Sequence, residues 1–211
     1  MENMQVLLQY LEGNWANILL LTYDHILMVI VGMILALTVG IPLGIVCAKN
    51  DRLASIILAI ANTIQVFPSL ALLAILMLFL GLGFNTVVIG LFLYSLLPII
   101  RNTYIGLKGV DPSINQAGVG VGMTPFQLLI KVQLPLALPF LLAGVRIATV
   151  IGIGVAALAP FVGGEGLGRL IYSGINLRDP MKIYSGSLVA ASLAIFVDYL
   201  LGKAQKKLEY R

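Results

Sequence analysis

ILMVIVGMILALTVGIPLGIVCA, running from Ile26 to Ala48, contains no charged side chain. A helix that crosses about 30 Å of hydrocarbon needs roughly 20 mostly apolar residues, so this stretch is long enough to span a bilayer. Moving outward along the chain, four more stretches qualify: Leu53–Leu80, Thr86–Leu107, Leu136–Val162 and Ile183–Gly202. None alternates polar and apolar residues as a barrel strand would. The composition agrees, with 60% hydrophobic and 10% charged residues in 211 and a mean hydropathy of +1.03. Soluble domains carry about a quarter charged residues, so this chain lacks the charge to cover a water-facing surface. Disorder, a nucleic-acid-binding domain and a secreted disulfide scaffold are excluded on the same ground. The one cysteine, Cys47, has no intrachain partner for a disulfide and lies in an apolar run, which makes it a lipid-facing or packing residue. The expected fold is an all-α integral membrane bundle of five spans.

Five spans place the termini on opposite sides, and the positive-inside bias selects the arrangement. With the C-terminus cytoplasmic, the inner side holds Lys49, Arg52, Arg101, Lys108, Lys131, Lys203, Lys206, Lys207 and Arg211. The outer side holds only Arg169, Arg178 and Lys182, and Arg146 lies within a span. The N-terminus is therefore expected outside, and the net charge of +4 reports topology and calls for no nucleic-acid partner. Glu2 and Glu12 precede the first apolar run where a signal peptide would carry a basic n-region. Trp15–Leu21 is too short to span. The expected layout is an interfacial segment over residues 1–25, a transmembrane domain over 26–202 and a basic cytoplasmic tail over 203–211.

Most connections read as ordinary turns. Lys49–Arg52 is a tight inner turn, Gly81–Asn85 a short outer one, and Gly163–Lys182 an outer loop with a short helix around Leu167–Ile175. Gly163-Gly164-Glu165-Gly166-Leu167-Gly168 has some likeness to a dinucleotide fingerprint. That fingerprint needs a preceding strand, so a flexible turn beside an outer gate is expected instead. The inner segment 109–135 is different. Ser113-Ile114-Asn115-Gln116 fits a capping box that opens a helix rich in small residues, Ala117, Gly118 and Gly120. Gly122 suits the left-handed position that ends such a helix. Thr124-Pro125-Phe126-Gln127 repeats the device with proline at the first helical position, and Pro135 is expected to end this second helix. Two short helices meeting at Gly122 could be a bare surface hairpin. A glycine-surfaced helix, however, lets another protein's backbone come close.

Gln116-Ala117-Gly118, three residues, Gly122, nine residues, then Val132-Gln133-Leu134-Pro135 resembles the cytoplasmic loop motif of ABC importer permeases. The family pattern is Glu-Ala-Ala, three residues, Gly, nine residues, Ile-x-Leu-Pro. The spacing and the position between the third and fourth spans both fit. Gln116, Gly118 and Val132 stand where the family has glutamate, alanine and isoleucine. Gln65-Val66-Phe67-Pro68-Ser69-Leu70-Ala71-Leu72, the run Leu93–Tyr104 and Phe161–Gly168 are similar to the branch that imports glycine betaine, carnitine and choline. Methionine-type importers share the five-span plan and the outer glycine turn. The resemblance implies a type I importer permease whose loop, through Gln116, Ala117, Gly118, Gly122, Leu134 and Pro135, couples to an ATP-binding subunit. It further implies a second permease chain, the same or related, and an external substrate-binding protein. ATP and magnesium would sit on the partner ATPase, with no cofactor in this chain.

Within the spans, Arg146 and Asp198 are the deepest ionisable residues, and such groups face protein or water rather than lipid. Either they line a path or they pair with each other or a partner; alternatively they snorkel or make a structural ion pair. Pro68 removes a backbone donor and kinks its helix in a segment that also carries the polar residues Asn62, Thr63, Gln65 and Ser69. This makes Gln65, Phe67, Pro68, Ser69 and Arg146 the pore or gate candidates, with a packing kink as the plainer reading of Pro68. His25, the only histidine, is expected at the outer boundary beside Asp24 with no second metal ligand near it. The sequence contains no Gly-x4-Gly-Lys-Ser/Thr phosphate cradle, no catalytic serine–histidine–aspartate set, and no matched halves of the kind secondary transporters show. A membrane scaffold that moves nothing and an ion-coupled carrier are the competing functions.

Overall fold

The computed structural model describes the backbone of residues 2–209 and the side chains of residues 5–208; Met1, Tyr210 and Arg211, the last two from the basic tail, lie outside the described residues. Among those described, the chain is helical throughout: α1 Glu2–Lys49, α2 Asp51–Val66, α3 Ser69–Leu80, α4 Phe84–Lys108, α5 Pro112–Gly120, α6 Pro125–Leu128, α7 Leu134–Ala156, α8 Gly168–Leu177 and α9 Pro180–Glu209. A π-helical segment, Leu129–Gln133, joins α6 to α7, and a 3₁₀ turn, Ala159–Val162, follows α7. Four helices are long and apolar enough to cross a membrane, and α2 with α3 makes a fifth if the bent pair counts as one span.

α4 is the centre of the bundle. Its most apolar window is 67% buried, against 11% for that of α9. Glycines let its neighbours come close, as membrane helices often require. A Cβ on Gly44 of α1 would stand 2.5 Å from Thr103 Cβ and 3.0 Å from the Ile100 carbonyl oxygen. On the other side, a Cβ on Gly144 of α7 would stand 2.8 Å from both Asn102 Cβ and the Pro98 carbonyl oxygen. α1, α4 and α7 are thus packed backbone against backbone. Met28, Leu73, Val87, Leu91 and Ile153 close a shared core across α1, α3, α4 and α7.

Three expectations change at this level. The N-terminal segment does not turn aside at residue 25. α1 runs unbroken from Glu2 to Lys49, about 70 Å at 1.5 Å per residue, because neither glycine nor proline occurs between Gly13 and Gly32. Its Ile18 and Leu21 are buried against Leu167 and Leu170. The second span is not one kinked helix but two arms bent by 98°. Pro68 confines the residue before it to extended backbone, and Phe67 accordingly has φ −58°, ψ 138°. The fourth span ends at Ala156 instead of Val162, where the chain tightens into the 3₁₀ turn.

The glycine-rich loop 163–168 is also packed, not a free turn. The Gly83 N–H donates to the Val162 carbonyl at 2.8 Å and the Gly164 N–H to that of Ala159 at 2.9 Å. Leu167 is fully buried.

Candidate functional site

Residues 109–135 assemble as a corner followed by a continuous helical run. α5 is capped by Asp111, whose side chain accepts from the Ser113 N–H at 2.7 Å, with Pro112 in the first turn. The cap expected at Ser113 therefore lies two residues earlier: the Asp-Pro pair supplies both a stronger cap and a preset first φ. Hydrogen bonds from the Ser113 hydroxyl and then its backbone amide hold the Asp111 carboxyl below the usual carboxylate range.

α5 ends in a complete Schellman arrangement. The Met123 N–H donates to the Gly118 carbonyl at 3.1 Å and the Gly122 N–H to the Val119 carbonyl at 2.9 Å, with Gly122 at φ +84°. The hydrogen-bond pattern is the one that satisfies a helix's last carbonyls. The next helix opens on the expected capping box. Thr124 Oγ1 accepts from the Gln127 N–H at 3.3 Å, and Gln127 Oε1 accepts from the Thr124 N–H at 2.9 Å.

Pro135 does not end this second helix. The chain runs from Pro125 through the π segment into α7 and on to Ala156. In a regular α-helix Pro135 would crowd the carbonyl four residues back and leave it without a donor. The wider π turn, in which the Leu134 N–H reaches back to the Leu129 carbonyl, absorbs the proline without a break. Gln116 and Ala117 are exposed on α5, whereas Gly118 is buried, with its missing Cβ leaving room for Leu128 Cδ1. The surface presented outward is Val119, Val121 and Phe126, each more than 60% exposed.

From this loop α7 climbs the bundle and is tied at two further heights. Arg146 donates to Asp198 of α9 through Nε to Oδ1 at 2.5 Å and Nη2 to Oδ2 at 2.6 Å, and its guanidinium lies over Gly202. Near the end of α7, the Ile153 carbonyl accepts from His25 Nε2 of α1 at 3.1 Å. That carbonyl is free because α7 is ending and the Ala157 N–H goes to Gly154 instead. His25 is fully buried, and the Nε2–H tautomer leaves Nδ1 without a partner.

The remaining candidates gather at the α2–α3 elbow. The Tyr94 hydroxyl of α4 donates to the Phe67 carbonyl at the break, satisfying a backbone group that lipid could not. A cavity of about 350 Å³ opens there, lined by Asn62, Thr63, Val66, Phe67 and Pro68. Gln65 and Ser69 flank the break without lining the cavity. Arg146 is not brought to it: with Asp198 it lines a separate cavity of about 480 Å³ between α7 and α9. Sequence reasoning missed Tyr94 as the partner of the elbow, Asp111 as the cap, and Asn115–Gln133, which hydrogen-bond at 3.0 Å. Only the Asp111-Pro112 pair carried a readable signal.

The profile of the family described as "Binding-protein-dependent transport system inner membrane component" matches residues 40–209. The chain belongs to this family. Its relatives are permeases along their whole length. It is 43% identical over 205 residues to the choline transport system permease protein OpuBB of Bacillus subtilis, covering 97% of this chain and 94% of that one. It is 45% identical over 209 residues to the glycine betaine/carnitine/choline transport system permease protein OpuCD of the same organism, covering 99% and 91%. Among solved structures, a chain of the inward-facing MetNI methionine ABC transporter superposes with a TM-score of 0.82 at 20% identity, covering 90% of this chain and 95% of that one. The fold is therefore that of a type I ABC importer permease, and this permease is a multi-pass inner membrane protein.

Proposed function

We propose that this permease imports quaternary-ammonium compatible solutes such as glycine betaine, carnitine or choline. It does so as one of a pair of permease chains, driven by an ATP-binding subunit and supplied by an external substrate-binding protein. The observation that carries the reading is the identity of more than 40% along nearly the full chain to permeases named for those solutes. The distribution of Lys and Arg supports an N-terminus outside and a C-terminus inside.

The geometry supplies a mechanism. The ATPase engages the exposed face of α5 and α6, and its closure on ATP and magnesium displaces the loop. Because α6, the π segment and α7 are one continuous body, the displacement travels along α7. The Arg146–Asp198 pair passes it to α9, and the Ile153–His25 contact passes it to the outer end of α1. α4 stays fixed between α1 and α7, while the α2–α3 elbow borders the solute path. A cation without hydrogen-bond donors is recognised through several aromatic faces. The elbow cavity has one, Phe67, which supports a path that passes what the binding protein delivers without selecting it.

The test is reconstitution of the permease with its ATPase and binding protein in liposomes, measuring uptake of labelled glycine betaine, carnitine, choline and methionine. Uptake of one of the first three that requires ATP and the binding protein is expected. Methionine uptake alone, uptake that survives ATP depletion and follows an ion gradient, or no co-purifying ATPase would each overturn the reading.

A further inference from the structure

The connection between α5 and the lever is narrow. α5 packs chiefly against α6 and the π segment and is joined to them in three ways. The first is the Gly122 corner, a single residue about which α5 can pivot. The second is the apolar contact of Gly118 with Leu128, which has no preferred direction. The third is the hydrogen bond from Gln133 Nε2 to Asn115 Oδ1 at 3.0 Å. The backbone bond from Met123 to Gly118 lies at the corner itself, so this last contact is the directional one that acts away from the pivot.

Its placement matters as much as its chemistry. Asn115 lies toward the start of α5 and Gly122 just beyond its end, about 10 Å apart at 1.5 Å per residue. The bond therefore acts at the far end of an arm whose pivot is the corner. Gln133 is the last residue of the π segment, immediately before α7, so whatever turns Gln133 turns α7. π turns recur at functional sites in helices. Here the wider turn also accommodates Pro135, two residues beyond Gln133.

We infer that Asn115 and Gln133 are positioning residues forming a strut that converts a tilt of α5 into movement of α7, so that ATP closure is tied to solute movement. This rests on the reading of the loop as the ATPase contact, and the experiment separates the two. In the reconstituted complex, Asn115→Ala and Gln133→Ala should assemble with the ATPase and hydrolyse ATP at the basal rate. One net side-chain hydrogen bond is worth about 1 kcal/mol, or about fivefold. The ATP consumed per solute imported should accordingly rise about fivefold in each variant, and no further in the double variant.

An isosteric set removes the concern that alanine disturbs the loop. Asn115→Asp alone keeps the acceptor, and Gln133→Glu alone is met by a flipped Asn115 amide, so both should stay within about twofold of wild type. Asn115→Asp combined with Gln133→Glu sets two carboxylates face to face and should uncouple. Wild-type ratios in the alanine variants, effects that multiply in their double variant, or a coupled double-carboxylate variant would each overturn the strut. If Gly122→Val abolishes transport while the strut variants behave as wild type, the strut alone fails. If Gly122→Val transports normally, the loop reading itself fails.

Discussion

Replacing Gly122 offers an unusually clean perturbation, because the corner has a positive φ and open surroundings. At φ +84° a Cβ would meet no atom within 4 Å, so a substitution there is penalised by backbone conformation alone. An L-residue in the left-handed region costs roughly 1–2 kcal/mol, more for a β-branched side chain and less for asparagine. That range corresponds to about a 5- to 30-fold drop in the ratio of molecules that hold the corner to those that have lost it. The expected order of uptake is Gly122, then Gly122→Asn, Gly122→Ala and Gly122→Val, with alanine lowered about fivefold and valine about 30-fold or more. Each variant should insert and accumulate normally, since neither the spans nor the α1–α4–α7 packing is touched. The assay is ATP-dependent solute uptake alongside solute-stimulated ATPase activity, normalised to permease in the membrane. An asparagine variant as poor as valine would show that side-chain size, not φ, governs the site. Wild-type uptake by the valine variant would show that the corner does not transmit the stroke.

Two further outcomes are expected. Arg146→Leu or Asp198→Leu alone strands a charge within the spans and should lower membrane accumulation, whereas the double replacement should restore accumulation but not uptake, because the link that passes the stroke to α9 is gone; uptake restored together with accumulation would show that the pair takes no part in transmission. Since Cys47 is fully buried, the native chain gives a quiet background for thiol labelling: an impermeant reagent should modify Asn176→Cys in intact cells and spare Asn50→Cys and Lys206→Cys, and outside labelling of Lys206→Cys would reverse the orientation.

The sequence made the spans legible because hydropathy is local, and the second half of the loop because its capping box is encoded in four consecutive residues. Pro68 announced a bend, but its size depends on Phe67 and on a tyrosine 27 residues away, and no local pattern records that partner. Pro135 looked like a terminator because proline breaks a regular α-helix, and the π turn that rescues it has no compositional mark. Arg146 and Asp198 were visible as costly residues, while their pairing across 52 positions was one option among several. The outer glycines read as flexible because glycine serves loose turns and tight packing equally well. At Gly164 it is the second use that applies: a Cβ there would lie 2.8 Å from Val87.

The Tyr94–Phe67 bond also constrains how the chain is built. Synthesis proceeds at about 5–20 residues per second, so the elbow emerges from the ribosome seconds before the tyrosine that completes it. During that interval the Phe67 carbonyl lacks its protein partner, and neither arm is long enough to cross the bilayer: α2 has 16 residues and α3 has 12. The pair must therefore wait near the lipid headgroups or inside the insertion machinery until α4 arrives. With the bent pair counted as one span, α2 and α3 are completed by α4, which makes insertion here a cooperative event between segments instead of a strict march from the N-terminus.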